Sequence, residues 1–170
     1  MPLRNATLRW SRAPSLDVAK NHKQTTTLRL LRQSFEEWGG VPAECLTDTM
    51  AGLVDGWELD EPVLNARYVG FAAYYGFTAL TAPRRCPQWK AIAERLFLFH
   101  EKNLLNGRKI LTYEEHREWL AWWKRVKKLG KRHPETKRTI GEMLELERPH
   151  LQPLPAHPYD TRDVFVRLVD

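Results

Sequence analysis

Cysteine is nearly absent from this chain: Cys45 and Cys86 are the only two in 170 residues, and neither sits in a Cys-x-x-Cys or Cys/His spacing. A disulfide framework and a zinc site of the usual kind are therefore not indicated, and reduced thiols in an intracellular setting are expected. No apolar run approaches the roughly 20 residues that span a bilayer, and the first residues lack the apolar core of a signal peptide. No membrane association is expected, and a cytoplasmic location is. The acidic stretch Glu58-Leu59-Asp60-Glu61-Pro62 lacks the spacing of a calcium loop, so it reads as solvated charge.

What is present describes a folded domain. The chain is 42% hydrophobic and 11% aromatic, with seven tryptophans, and this excludes a disordered polymer. Its length suits one ordinary domain, or a domain with a tail, and is enough to bury a core. The net charge of +6 and pI near 9.5 favour an anionic partner without requiring nucleic acid.

Along the chain the pattern alternates. Leu8, Trp10, Leu16 and Val18, interrupted by Pro14, predict a weak strand or bent hairpin between Met1 and Ala19, with Asp17 as a surface or turn residue. Thr25-Thr26-Thr27 offer N-cap chemistry for a helix to Trp38, whose core stripe is Leu28, Leu31, Phe35 and Trp38; Gly39-Gly40 ends it. A strand over Val41–Thr47, interrupted by Pro42 and Glu44 and therefore short, leads to Asp48. After it come an extension over Met50–Val54, a turn at Asp55-Gly56 and the acidic loop. Asn65 caps a helix to Tyr75 closed by Gly76, and a strand over Phe77–Thr81 follows, expected to lie parallel to the first. Pro87 opens a further helix containing Lys90, Glu94 and Arg95. Beyond Asn106-Gly107, Thr112 and Glu115 form a capping box for a helix to about Leu129, with Trp119, Trp122, Trp123 and Val126 on its apolar side. Tryptophans at that spacing are expected to pack. Prolines between Pro149 and Pro158 predict an extended linker, and Asp163–Asp170 alternates like a strand.

Four stretches in fixed order carry a resemblance: FEEWGGVPAECLTDTM from Phe35, NARYVGFAAYYGF from Asn65, PQWKAIAER from Pro87 and HPETKRTIGEMLELERPHLQPLPAHPYD from His133. Together they resemble the IstA-type transposases of the insertion-sequence-21 family, over nearly the whole chain. The resemblance implies an α/β fold, a partial ribonuclease-H-like integrase core lacking its first strands over residues 1–106. A helical basic segment over 107–148 and an extended tail over 149–170, the start of a small β-domain, complete the implied division. It implies that Asp48 and Glu94 are two members of a three-carboxylate catalytic set, whose first aspartate finds no counterpart among these residues. It also implies DNA (transposon ends and target), a partner ATPase and self-association as partners. Departures from the family pattern occur at Thr49, Trp89, Ala91, Ile92 and Ala93, and a basic residue is lost at Ile92.

The chemistry such a site performs is phosphodiester cleavage and strand transfer, which two divalent ions about 4 Å apart support by activating one oxygen and stabilising the other. Hard carboxylate ligands suit Mg2+ or Mn2+. Asp48 and Glu94 are 46 positions apart (94 minus 48), room enough for a strand, helix, strand and loop between them. Two carboxylates alone hold an ion weakly, so little cleavage is expected of these residues by themselves. Phosphate contacts are expected from Arg84, Arg85, Lys90 and Arg95, and from Lys124, Arg125, Lys127 and Lys128 in the densest basic run. A competing reading is a DNA-binding or dimerising remnant without catalysis. Another is an unrelated basic domain acting through protein contacts at Trp119, Trp122 and Trp123.

Overall fold

The structure, a computed structural model, describes residues 3–47, 52–81 and 112–162. It begins with an antiparallel hairpin of β1 (Leu3–Thr7) and β2 (Pro14–Val18), in which Asn5 pairs with Leu16 and Thr7 with Pro14. Proline is tolerated because it opens its strand, where no ladder amide is needed. Arg12, with φ 62°, turns the connection. Asp17 is not loose on the surface: it lies in β2, accepts the Val18 amide at 2.7 Å and pairs with Arg117 at 3.3 Å.

Helix α1 (Gln24–Trp38) starts ahead of the threonines, and its cap position, Lys23, makes no side-chain bond. Asn21 supplies the stop instead, its side-chain oxygen accepting the Lys23 amide at 3.0 Å and the Thr26 hydroxyl at 2.7 Å. The threonines therefore fall in the first turn. Gly39, at φ 78°, closes the helix in the left-handed conformation that glycine adopts without strain, its amide donating to Phe35 and Glu36.

Strand β3 (Glu44–Thr47) pairs in parallel with a later strand, Thr78–Thr81, and between them lies an element that the turn residues concealed. Asp55-Gly56 is not a turn. It sits inside β4 (Val54–Glu58), which forms a hairpin with β5 (Glu61–Leu64), and the register shifts between Val54 and Gly56 as at a bulge. The reversal is Leu59-Asp60, both left-handed at φ 47° and 66°, the two-residue geometry whose twist matches a hairpin. The acidic stretch is thus hairpin rather than loop. Asn65 then caps α2 (Ala66–Tyr75), accepting the Arg67 amide at 2.9 Å, while its amide nitrogen donates to Asp55 at 2.8 Å. Gln24 donates to the same Asn65 oxygen at 2.6 Å and also to the Gly52 carbonyl, fastening the hairpin to the start of α1. Gly76 ends α2 at φ 75°, and the chain enters β6 (Thr78–Thr81).

The main core collects Leu28, Phe35 and Trp38 of α1, Tyr68, Phe71 and Tyr75 of α2, and Phe77, with Cys45 of β3 and Ala79 of β6 packed beneath. Phe35 is fully buried, and its ring centroid lies 5.3 Å from Tyr75, 5.6 Å from Phe77 and 6.2 Å from Phe71. Complete burial of one such ring contributes roughly 1.5–3 kcal/mol.

Helix α3 (Tyr113–Trp123) begins with the expected capping box, Thr112 accepting the Glu115 amide and Glu115 the Thr112 amide, both at 3.1 Å. It runs into a π-helical turn over Lys124–Lys128. Leu120 and Trp123 pack on Leu16 and Val18 of β2 as a second cluster. Helix α4 (Ile140–Glu147) is capped in the same way by Thr139 and Glu142, and its Ile140 and Leu144 join the main core.

The proline-rich segment after the short 3-10 turn Arg148–His150 is extended, yet it is bonded down along its length. Val41 and Gln152 exchange both backbone bonds at 2.9 and 2.8 Å. The Tyr74 hydroxyl donates to the His157 carbonyl at 2.7 Å, and the Tyr159 ring meets Phe71 edge-on at 5.3 Å. The alternation over Asp163–Asp170 lies outside the described residues.

A Cβ at Gly40 would stand 2.6 Å from Leu151 Cβ and 2.9 Å from the Gln152 carbonyl oxygen, whereas one at Gly56 meets nothing within 4 Å. Gly40→Ala should therefore lower unfolding stability by about 1–3 kcal/mol in denaturant titration, and Gly56→Ala should change it little. Equal effects of the two would mean that the 151–152 strap does not press on the end of α1.

Candidate functional site

The parallel pairing of β3 and β6 determines which end of the fold can hold chemistry. Thr47 is the Cα partner of Thr81, so both strands finish side by side. Open α/β sheets place their active groups beyond such carboxyl ends. Asp48 is the next residue after Thr47 in sequence, and the segment containing Arg84, Arg85, Lys90, Glu94 and Arg95 follows Thr81. All six of these residues lie outside the described residues. Among the described residues, no group of three or more His, Cys, Asp or Glu is arranged to hold a metal.

Beneath that end lies a pair of protonated side chains that sequence reasoning did not single out. Cys45 points to the core from β3, and burial pushes its thiol up to about 11, against a smaller opposing contribution from Tyr68. The Tyr68 hydroxyl is buried beside Cys45 and Thr47. Burial, reinforced by the neighbouring thiol, raises its pKa as well. Both groups are neutral at pH 7, so the floor under the strand ends is uncharged. On the opposite face, Leu46 and Leu80 are exposed cross-strand partners.

The basic run is split by the fold. Lys124 is committed to structure: its ammonium lies 2.6 Å from Glu37 and clamps the end of α3 to α1, a contact worth at most about 1 kcal/mol at this exposure. Lys128 is half-buried, its pKa lowered by burial and then by Lys131 nearby. Arg125 and Lys127 are exposed on the π-turn. Of the four expected phosphate contacts in this run, these two face solvent most openly. The tryptophans do not share one side either. Trp123 is buried on β2 and Trp119 packs against the same cluster, as expected of them, but Trp122 is 37% and Val126 47% exposed, and Trp122 stacks on Trp119 at 4.5 Å and 17°. Trp119 and Trp123, four positions apart, fall on the face toward β2, and Trp122 lies to the side of it.

Comparison with known proteins gives two levels of likeness. No family model matches the chain. The chain is 30% identical over 164 residues to a protein of Geobacillus stearothermophilus named "Putative transposase for insertion sequence element IS5376". It is 32% identical over 141 residues to one of Pseudomonas fluorescens named "Putative transposase for insertion sequence IS1162". These alignments take in 96% and 81% of this chain but only 40% and 25% of the relatives, so the chain spans less than half of either. Among solved structures, a chain of the simian T-cell lymphotropic virus intasome, determined by cryoEM in complex with PP2A regulatory subunit B56 gamma, matches with a TM-score of 0.68. That match is 14% identical, covers 95% of this chain and 54% of that one, and shows a shared mixed α/β fold. In sequence, the chain is a relative of insertion-sequence transposases. Among the described residues no helix is long and apolar enough to cross a membrane.

Cys45 and Tyr68 make the fold sensitive to alkali. Each has a folded-state pKa above its ordinary value, so their contribution is complete below about pH 9 and is lost as pH rises through the folded values. Unfolding stability should fall between pH 9 and 11, by up to about 1.4 kcal/mol per pH unit from Cys45 alone. Cys45→Ala should flatten that slope; an unchanged slope would remove the thiol from the explanation.

Proposed function

We propose that this chain is part of the DNA-acting core of an IstA-type transposase, with Asp48 and Glu94 as two of the carboxylates of a metal-dependent strand-transfer site. One observation carries the reading: Thr47 and Thr81 are paired neighbours at the ends of parallel strands, and these are the points from which the chain continues to Asp48 and toward Glu94. The relation to insertion-sequence transposases and the fold shared with an intasome chain support it. Asp48 and Glu94 offer hard oxygen donors, which fit Mg2+ or Mn2+; the bound ion would supply charge neutralisation and activation of the attacking oxygen.

The protein's own contribution is positional. A short strand with its neutral Cys45–Tyr68 floor leads directly to Asp48, and Arg125 and Lys127 present charge for the phosphodiester backbone. Arg84, Arg85, Lys90 and Arg95 are assigned the same role beside Glu94. Two carboxylates form an incomplete set for a two-ion reaction, so these residues alone bind DNA and cleave it poorly. Self-association and a partner ATPase belong to the same proposal. The exposed Arg125 and Lys127 would also serve a non-catalytic DNA-binding module, and the carboxylates separate the two readings.

Affinity for a duplex should fall about tenfold or more between 50 and 200 mM salt, since each phosphate contact releases a counterion. Mn2+ binding measured by calorimetry should weaken at least about tenfold in both Asp48→Asn and Glu94→Gln. Salt-insensitive binding would exclude the DNA interface. Salt-sensitive binding with Mn2+ affinity unchanged in both variants would leave only the non-catalytic reading.

A further inference from the structure

Helix α3 turns Trp122 toward solvent, outside both clusters of the core, while Trp119 beside it packs against the second cluster. Trp119 and Trp122 are stacked almost parallel, at 4.5 Å and 17°, with Trp122 at 37% exposure. Val126, one turn further along, is 47% exposed. Aromatic area of this kind is costly to leave in water, and a stack open at one end accepts another planar ring. The charge around it is graded along the helix. Exposed Glu114 and Glu118 lie toward the N-terminus, and exposed Arg125 and Lys127, followed by Lys131 and Arg132, lie toward the π-turn. An anionic polymer with planar groups fits this gradient, its rings on the indole and its charge directed toward the turn.

We infer that Trp122, backed by Trp119 and flanked by Val126, Arg125 and Lys127, is a stacking site for an unpaired nucleobase of single-stranded DNA. In a duplex each base face is already covered by its neighbours, so an indole can add to the stack only where a base is unpaired or at an end. Base–aromatic stacking tolerates any sequence, because every base has a π-face, and the adjacent cations hold the phosphates on either side. Arg125 and Val126 follow Trp122 by three and four positions, neighbouring places on a helix surface. The inference rests on the reading that the chain handles DNA and names which form of DNA this face takes.

The test uses the 170-residue chain with a labelled oligothymidylate and a labelled duplex, read by fluorescence anisotropy. Trp122→Ala should weaken oligothymidylate binding by about 5- to 100-fold, the range for loss of one stacked base, and change duplex binding less than about twofold. Trp122→Phe should retain most of the single-strand affinity. Binding of oligothymidylate should quench tryptophan emission in the native chain and less so in Trp122→Phe. If Trp122→Ala binds both nucleic acids as the native chain does, the stacking site is wrong while the DNA reading stands. A variant that leaves both unchanged but alters self-association in sedimentation assigns the face to protein contact, and likewise overturns it. If the native chain binds neither nucleic acid, both readings fall together.

Discussion

The parallel pairing of two four-residue strands, β3 and β6, is the constraint on which the rest of this structure depends. Strands this short cannot hold themselves together, and the ladder bonds they exchange are worth little net. What fixes them is the layer of aromatic side chains packed against Cys45 and Ala79. Phe35 from α1 and Tyr68, Phe71 and Tyr75 from α2 interlock with Phe77 at centroid distances between 4.7 and 6.2 Å. Because α2 is the crossover between the two strands, its packing sets their parallel direction and register at once. The ends of both strands are therefore set by an aromatic core.

Several devices secure that crossover. Asn65 joins three elements through one side chain, and Gly40 lets the 151–152 segment lie close enough to trade backbone bonds with Val41. The tail thereby closes over the end of α1. Arg148 reinforces this by donating to the Trp38 carbonyl at 3.0 Å, and the Tyr159 amide reaches the Tyr75 hydroxyl at 3.3 Å. The segment that composition marks as a linker is held to the core by backbone groups, which leave no trace in hydropathy.

Elements with a strong local signature were legible: the α1 stripe ended by Gly39-Gly40, the Asn65 cap with Gly76, the parallel relation of the two short strands, and the Thr112–Glu115 box. The β4–β5 hairpin was hidden because Asp55-Gly56 mimics a turn, while the true reversal uses Leu59, a residue that rarely takes positive φ. Helix α4 did have a signal, the Thr139–Glu142 spacing, overlooked among charged neighbours. The burial of Cys45 against Tyr68 depended on a contact 23 positions apart in sequence (68 minus 45), which leaves no periodic mark. The proposed carboxylates rest on resemblance alone, since a lone aspartate after a strand and a lone glutamate on a helix are common everywhere.

The central claim is that Asp48 and Glu94, sent out from neighbouring strand ends, meet. The most direct measurement is cross-linking in a chain carrying Cys45→Ser and Cys86→Ser together with Asp48→Cys and Glu94→Cys, treated with a short bifunctional thiol reagent and digested for mass spectrometry. The account predicts a dominant intramolecular link between positions 48 and 94 that disappears when either cysteine is omitted. Modification of both thiols without any link between them would contradict it.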